Sequence, residues 1–226
     1  IEKFDKVNDE YNRGLFIEHV FSKEEFASYK KGLPSGCGIF SKVLFKEQEF
    51  NAQRKEIRLR GDGTYSLLNL PVSLRKKYIM NSNGFTVQYI LKNEGPISFK
   101  GNFVVESNFA QTDFSEASTN SYKVDLISSG NGITYDQITK PASQKDISFL
   151  QITDTSNNIS FVYEPNEEAG ISCRPLYFKR PVIDSSTPQI AGTTFVSSLF
   201  WDVDLPAGRE LEKTINFTII TPKKRR

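Results

Sequence analysis

Residues able to do acid–base, nucleophilic or metal chemistry are few and widely spaced in this sequence. His19 is the only histidine, and Cys37 and Cys173 are the only cysteines. A zinc site needs several His, Cys or acidic ligands at short characteristic spacings, and none of those spacings occurs here. A serine hydrolase would need His19 together with a G-x-S-x-G elbow, which the sequence lacks. We therefore predict no catalytic residue, no metal site and no cofactor.

Carboxylates are the remaining acid–base groups. A glycosidase needs two of them, about 5–5.5 Å apart for retention of configuration or about 6.5–9.5 Å apart for inversion. The candidates are Glu106, Asp113, Glu116, Asp125, Asp202 and Asp204. Acidic side chains on strands are usually solvated. A small hydrolase or epimerase that uses a carboxylate pair is therefore kept only as an alternative function.

Aromatic side chains offer another kind of chemistry, because their flat faces stack on sugar rings. Tyr65, Tyr135 and Tyr177 border turns or polar strands, and Trp201 is the single tryptophan. These four residues are our carbohydrate-binding candidates. Trp201 also shares one strand face with several apolar residues, and this alternation favours a place in the core for it.

The elements that must position these residues are mostly strands. The chain contains 18 Phe and 9 Tyr, and aromatic residues favour pleated sheets. One short helix is predicted near residues 22–31. Ser22 and Glu25 have the spacing of a capping box at its start, and Gly32-Leu33-Pro34 ends it.

Alternation of apolar and polar residues predicts about ten strands in the rest of the chain. They cover residues 56–60, 64–70, 85–92, 97–106, 122–127, 147–152, 159–164, 172–183, 193–202 and 211–220. Glycine doublets such as Gly61-Asp62-Gly63 are interpreted as turns. Strands with one apolar face indicate antiparallel sheets stacked as a sandwich. We predict one all-β domain over 1–226, with an opening segment and helix over 1–35 and a large antiparallel β-sandwich over 36–226.

Charge and hydropathy exclude two classes of partner. The net charge is +2, and four of the basic residues are the terminal Lys223–Arg226, so no basic face for nucleic acid is expected. Apolar runs are far shorter than the ~18 residues of a membrane span. No signal-peptide pattern opens the chain, which predicts a cytoplasmic protein whose two cysteines stay reduced. Because it starts at Ile1, we expect a fragment of a longer enzyme.

The part of the sequence most characteristic of a protein family is the stretch Tyr11-Asn12-Arg13-Gly14-Leu15-Phe16-Ile17-Glu18-His19-Val20-Phe21. It resembles the segment that leads into the C-terminal domain of prokaryotic glycoside hydrolase family 57 enzymes, the α-amylase and 4-α-glucanotransferase group. The family pattern is aromatic-x-Arg-x-x-Phe-hydrophobic-acidic-His-Phe, and Tyr11, Arg13, Phe16, Ile17, Glu18 and His19 match it. Phe103–Ala110 and Trp201–Gly208 are also similar to the family.

The resemblance implies a galactose-mutarotase-like supersandwich without catalytic residues of its own. In that family the catalytic carboxylates lie in an N-terminal β/α barrel, which this chain lacks. The expected function is therefore that of a non-catalytic C-terminal accessory domain in an α-glucan-processing enzyme. It would brace the missing catalytic barrel, its main partner, or shape one wall of the glucan cleft. An alternative is a stand-alone carbohydrate-binding module for α-glucan.

The resemblance also bears on the roles of the opening residues. Mutarotases use a His/Glu catalytic set, which a single histidine at the start of the domain does not reproduce. No catalytic role is carried over for that reason. We interpret the matching residues instead as structural residues that tether the opening segment by hydrogen bonds and charge pairing: Tyr11, Arg13, Phe16, Glu18 and His19.

Overall fold

Antiparallel strands make up most of the molecule. The computed structural model describes residues 11–33, 38–65, 69–110, 121–182 and 185–222, without the side chains of 177–193. In chain order the elements are β1 (Ile17–Phe21), α1 (Lys23–Lys30), a 3₁₀ turn (Phe40–Lys42), β2 (Lys46–Asn51), β3 (Glu56–Tyr65), β4 (Leu70–Met80), β5 (Gly84–Asn93), β6 (Phe99–Phe109), β7 (Tyr122–Ser128), β8 (Asn131–Tyr135), β9 (Ala142–Asp154), β10 (Ile159–Pro165), β11 (Ala169–Val182), β12 (Ser185–Leu205) and β13 (Glu210–Ile220). No helix in these ranges is long and apolar enough to cross a membrane.

One continuous sheet supplies both layers of the sandwich. Its strand order is β1-β6-β12-β11-β9-β10-β13-β5-β4-β3-β2, with β7 paired to β9 and β8 paired to β7. Phe103 of β6 and Tyr89 of β5 are distant in this order, yet their ring centroids are 5.4 Å apart. The sheet therefore folds over one apolar core shared by both halves. This confirms the all-β, antiparallel sandwich, with its two layers joined rather than separate.

Helix α1 covers part of the outer face of one layer. The Ser22 hydroxyl accepts a hydrogen bond from the Glu25 backbone N–H, and the Glu25 carboxylate accepts one from the Ser22 N–H, which confirms the capping box. Gly32, at φ +72°, follows the helix in the left-handed region that glycine tolerates. The buried residues Phe26 and Tyr29 pack against the outer face of β6 and β12.

The predicted turn at Gly61-Asp62-Gly63 is wrong, because β3 runs through it without interruption. The two glycines instead allow the chain before β2 to cross closely over β3. A Cβ atom at Gly61 would lie 2.8 Å from the Phe45 ring, and one at Gly63 would lie 2.2 Å from the Ile39 side chain. These contacts are shorter than real Cβ contacts allow, so packing and not chain reversal requires glycine here.

Several strands were not predicted or were placed differently. β1, β2 and β8 were missed, and so was nearly all of β4, which shares only Leu70 with the predicted 64–70 strand. The β2 sequence is polar and almost fully exposed, so it has no apolar alternation to detect. β4 carries Lys76 on its buried face, which interrupts the pattern. Ile97, predicted in a strand, lies before β6 and is exposed.

Candidate functional site

A buried carboxylate, Glu106, lies on the outer face of β6, beneath helix α1 and the segment 11–16, here called the opening segment. Its side chain is fully buried. The Tyr11 hydroxyl donates to it at 2.9 Å, the Asn108 amide donates at 2.7 Å, and the Tyr29 hydroxyl donates as well. The Tyr29 oxygen also lies 2.6 Å from Ser198 Oγ on the adjacent strand β12. We call these five residues the Glu106 cluster.

Basic side chains surround the Glu106 cluster. Arg13 Nη1 lies 3.5 Å from Glu106 Oε1, and His19 Nε2 lies 3.5 Å from Oε2. The guanidinium of Arg174 lies 5.3 Å from the centroid of the Tyr29 ring. Nearby guanidinium charge, together with several hydrogen-bond donors, is the environment in which a buried carboxylate stays ionised.

The pKa of Glu106 reflects this environment. Burial alone would raise it, but the adjacent His19 imidazole, followed by the hydrogen bonds of Tyr29 and Asn108, lowers the pKa of the carboxyl to about 2. Burial, with the Glu106 charge second, raises the pKa of both tyrosines, Tyr11 and Tyr29, above the ordinary value. The cluster is thus one carboxylate with two phenols that remain protonated.

Stability should depend on pH through Glu106. Its pKa falls from an ordinary 4.5 to about 2 on folding, so between these values the unfolded chain holds a proton that the folded chain does not. The stabilisation is complete above about pH 5 and is lost as the pH falls toward 2, about 3 kcal/mol in all. Urea denaturation of the wild type and of Glu106→Gln should give free energies of unfolding that converge at acid pH. A constant difference would contradict this.

The opening segment is attached to the sandwich by its backbone and by an aromatic anchor. The Asn108 backbone N–H donates to the Gly14 carbonyl at 2.9 Å. The Phe16 ring enters the core, with ring centroids 4.9 Å from Phe85 and 5.1 Å from Phe217. Arg13 adds a hydrogen bond of 3.1 Å to the Asn108 side chain.

Glu18 of β1 lies on the opposite, core-facing side of the sheet. Lys76 of β4 donates to it at 2.9 Å, and both side chains are buried. The Lys76 ammonium also lies 3.7 Å from the centroid of the Phe45 ring. Burial raises the pKa of Glu18, against the lowering effect of the Lys76 charge. This ion pair joins β1 to the other half of the folded sheet.

The structure describes the side chains of three of the four carbohydrate-binding candidates. Tyr65 is buried and donates to the Lys100 carbonyl, and Trp201 is buried in the core, as its alternation predicted. Tyr135 is half-buried against the core, and the Tyr177 side chain is not among those that the structure describes. In this conformation Tyr65 and Trp201 present no ring face to a sugar. Among the described side chains, Phe50 is the one exposed aromatic residue.

The remaining candidate acids and cysteines form no second cluster among the described residues. Asp125, Asp202 and Asp204 lie beside lysines. Asp113, Glu116 and Cys37 are outside the described ranges, as is the basic terminus 223–226. Cys173 is buried, and burial raises the pKa of its thiol to about 12. Where the chain is described, no group of three His, Cys, Asp or Glu could hold a metal ion.

Sequence reasoning identified part of the Glu106 cluster and its surroundings. Tyr11 of the cluster, with the adjacent Arg13 and His19, came from the opening stretch, whereas no role was predicted for Tyr29 or Ser198. Glu106 was named only as one of six candidates for a catalytic carboxylate pair and as part of the family-like stretch Phe103–Ala110. A carboxylate that alternates with apolar residues inside a buried strand is the signal that could have marked it. Glu106 and His19 are both fully buried, so this arrangement can anchor a segment but offers no surface to a substrate.

Comparisons with solved structures define the class of fold. A galactose mutarotase-like protein from Lactobacillus casei matches 78% of this chain and 73% of its own, with a TM-score of 0.53 and 10% identity. A galactose mutarotase related enzyme from Lactobacillus acidophilus matches 80% of this chain and 72% of its own, with a TM-score of 0.53 and 8% identity. Identities this low show the fold alone. The chain is a galactose-mutarotase-like β-sandwich.

The family follows from a second pair of comparisons. Residues 5–177 match the family described as "Alpha-amylase/4-alpha-glucanotransferase, C-terminal". The chain belongs to this family, as the resemblance of its opening stretch indicated. The 4-α-glucanotransferase of Thermococcus litoralis matches 93% of this chain with a TM-score of 0.65 and 16% identity, and the match spans 28% of that enzyme. A search of curated protein sequences gave no match.

Proposed function

We propose that residues 1–226 form one accessory domain of a longer α-glucan-processing enzyme, and that this domain is not itself catalytic. Its role would be to brace a preceding catalytic barrel or to shape one wall of the barrel's glucan cleft, in the cytoplasm. The observation that carries this proposal is the attachment of the opening segment to the sandwich. Tyr11 and Arg13 both reach Glu106, which is fully buried.

This attachment has a mechanical consequence. Four independent contacts hold residues 11–19: the Glu106 cluster, the Gly14 backbone, the Phe16 ring and the Glu18–Lys76 ion pair. Residue 11, where the described chain begins, is therefore held at a fixed point on the sandwich. Such a rigid junction suits a domain that holds a neighbour in place.

An apolar surface near this junction supports the bracing role. Phe50 is 64% exposed, Met80 is 50% exposed and Leu15 is 42% exposed. Phe50 lies opposite Ile57 of β3, which in turn lies opposite Tyr78 of β4, so Phe50 and Tyr78 share a face. Met80 is two residues from Tyr78 on that face. We call Phe50 and Met80 the apolar rim and propose that the catalytic barrel covers it.

The first test is catalytic. We expect the isolated chain to leave maltoheptaose unchanged in a chromatographic assay of shorter and longer products, with a cooperative melt showing that it is folded. Formation of either kind of product would contradict the accessory role. A calorimetric titration with maltoheptaose tests the alternative of a stand-alone binding module, which saturable binding would support.

The second test addresses bracing in the full-length polypeptide that carries this domain. Phe50→Ser combined with Met80→Ser should lower the melting temperature of the catalytic part while leaving that of the isolated domain unchanged. Ile127→Ser, on β7 and 38% exposed, is the matched control for loss of an exposed apolar residue. Equal effects of the two changes on the catalytic part would argue against the apolar rim as its docking surface.

A further inference from the structure

The outer face of β3 and β4 places like charges directly opposite one another. Arg58 of β3 is the register partner of Lys77 of β4, and Arg60 is the partner of Arg75. All four side chains lie on the face that points away from the core. Like charges at directly opposed positions destabilise a sheet, so this square of cations requires compensation by negative charge.

Acidic residues compensate three of the four cations. Arg58 lies 2.6 Å from Glu56 and 3.1 Å from Glu49, and Arg75 lies 2.7 Å from Glu210. Arg60 is paired in the same way with Asp62 and Glu94. For Lys77, no carboxylate lies within ion-pair distance in the part of the chain that the structure describes. The square thus retains one uncompensated positive charge, on a half-buried lysine.

This lysine lines a groove that crosses β2 to β5. The groove has a volume of about 340 Å³, near the lower end of the size range of small-molecule sites. Its lining combines cations, amides, apolar residues and one carboxylate: Gln48, Glu49, Arg58, Leu59, Arg75, Lys76, Lys77, Gln88 and Ile90. The carboxylate, Glu49, is the one already paired with Arg58. Gln88 lies directly opposite Lys77, so the amide and the ammonium adjoin each other.

We propose that this groove binds a phosphate group, either as free inorganic phosphate or carried by a phosphorylated sugar. A phosphate would supply the negative charge that Lys77 lacks. Arg75 contacts Glu210 through Nη2, so its other N–H groups would donate to the phosphate oxygens. The amides of Gln48 and Gln88 would donate to the remaining oxygens, and Ile90 would contact an attached sugar ring. A neutral glucan matches this lining poorly, since no aromatic ring lines the groove for a sugar to stack on.

The test is a calorimetric titration of the whole chain at constant ionic strength, set with chloride. Inorganic phosphate, glucose 6-phosphate and maltoheptaose are the three ligands. We expect saturable binding of the phosphorylated compounds, with a Kd on the order of 1 mM, and none of maltoheptaose to this groove. Tighter binding of glucose 6-phosphate than of phosphate identifies a sugar phosphate as the ligand, and equal binding identifies free phosphate. Failure of both to bind overturns the proposal.

Variants place the binding in the groove. Lys77→Gln should weaken phosphate binding at least tenfold, and Lys77→Arg should retain most of it. Lys100→Gln removes an exposed lysine on β6 and should change nothing, since Lys100 is paired with Asp204 on the other half of the sheet. Equal affinities in wild type and Lys77→Gln would overturn the proposal. The outcome is separate from the accessory-domain proposal, which is tested by loss of bracing and not by phosphate.

Discussion

Replacing Glu106 by glutamine is expected to lower the free energy of unfolding by about 3 kcal/mol at pH 7. The substitution keeps the shape of the side chain but removes the charge. In the wild type, the Glu106 carboxylate accepts hydrogen bonds from the Tyr11 hydroxyl, the Asn108 amide and the buried Tyr29 hydroxyl. In the variant, an amide group that can only donate would face one or more of these donors. Arg13 would also lose its carboxylate partner.

Urea denaturation monitored by circular dichroism measures this loss. Asp204→Asn is the control, because it makes the same chemical change at an exposed carboxylate that lies 2.8 Å from Lys100. Exposed ion pairs contribute little to stability, so the control should leave the urea midpoint unchanged. Equal midpoint shifts in the two variants would show that the Glu106 cluster does not anchor the fold.

The cluster also predicts where the variant should open first. Tyr11 and Arg13 hold the opening segment through Glu106, whereas the Phe16 ring holds it independently in the core. In Glu106→Gln, cleavage by trypsin after Arg13 should therefore become faster at urea concentrations where the sandwich remains folded. Cleavage at the wild-type rate would place the stabilising effect of Glu106 elsewhere.

The second large effect is expected at Lys76. Lys76→Met keeps most of the side-chain volume and leaves Glu18 buried without its cation, which should cost about 3–5 kcal/mol at pH 7. Both members of the pair are buried, with exposed side-chain fractions of 9% and 3%. The loss should shrink at lower pH, because an unpaired buried carboxyl takes up a proton more readily.

The matched control is the double variant Glu18→Leu with Lys76→Met. Replacing a whole buried ion pair by apolar residues of similar volume is often neutral or stabilising, so the double variant should regain most of the stability lost in Lys76→Met. A double-mutant cycle in urea gives the coupling energy of the pair directly. A double variant as unstable as Lys76→Met would show that Lys76 acts through packing, including its contact with Phe45.

Local patterns in the sequence were sufficient to predict the class of fold and much of its detail. Alternation located the centres of most strands, and the capping box at Ser22 located the helix to within a residue or two. Trp201 was placed in the core from the apolar residues with which it shares a strand face. These features depend on neighbours along one strand or within one helical turn, so they can be read from spacing alone.

The missed strand β2 and the misassigned glycines of β3 show which features local sequence patterns do not predict. β2 pairs with β3 although its own side chains are exposed, because the pairing uses backbone groups that any residue supplies. Gly61 and Gly63 read as turn residues, yet the side chains that require them come from the segment before β2. In both cases the deciding contact lies on another segment of the chain.

The sequence by itself determined the antiparallel strands, the short helix, the family resemblance of the opening stretch and the scarcity of catalytic groups. Only the tertiary structure decided that Glu106, Tyr29 and Ser198 form one hydrogen-bonded cluster. They are at least 77 residues apart along the chain, and they meet because β6 pairs with β12 and α1 packs on both strands. The tertiary structure also decided that Lys77 of β4 lies directly opposite Arg58 of the adjacent strand β3. Charge on a side chain is a local property, but its energy depends on the distances and burial that only the folded sheet creates.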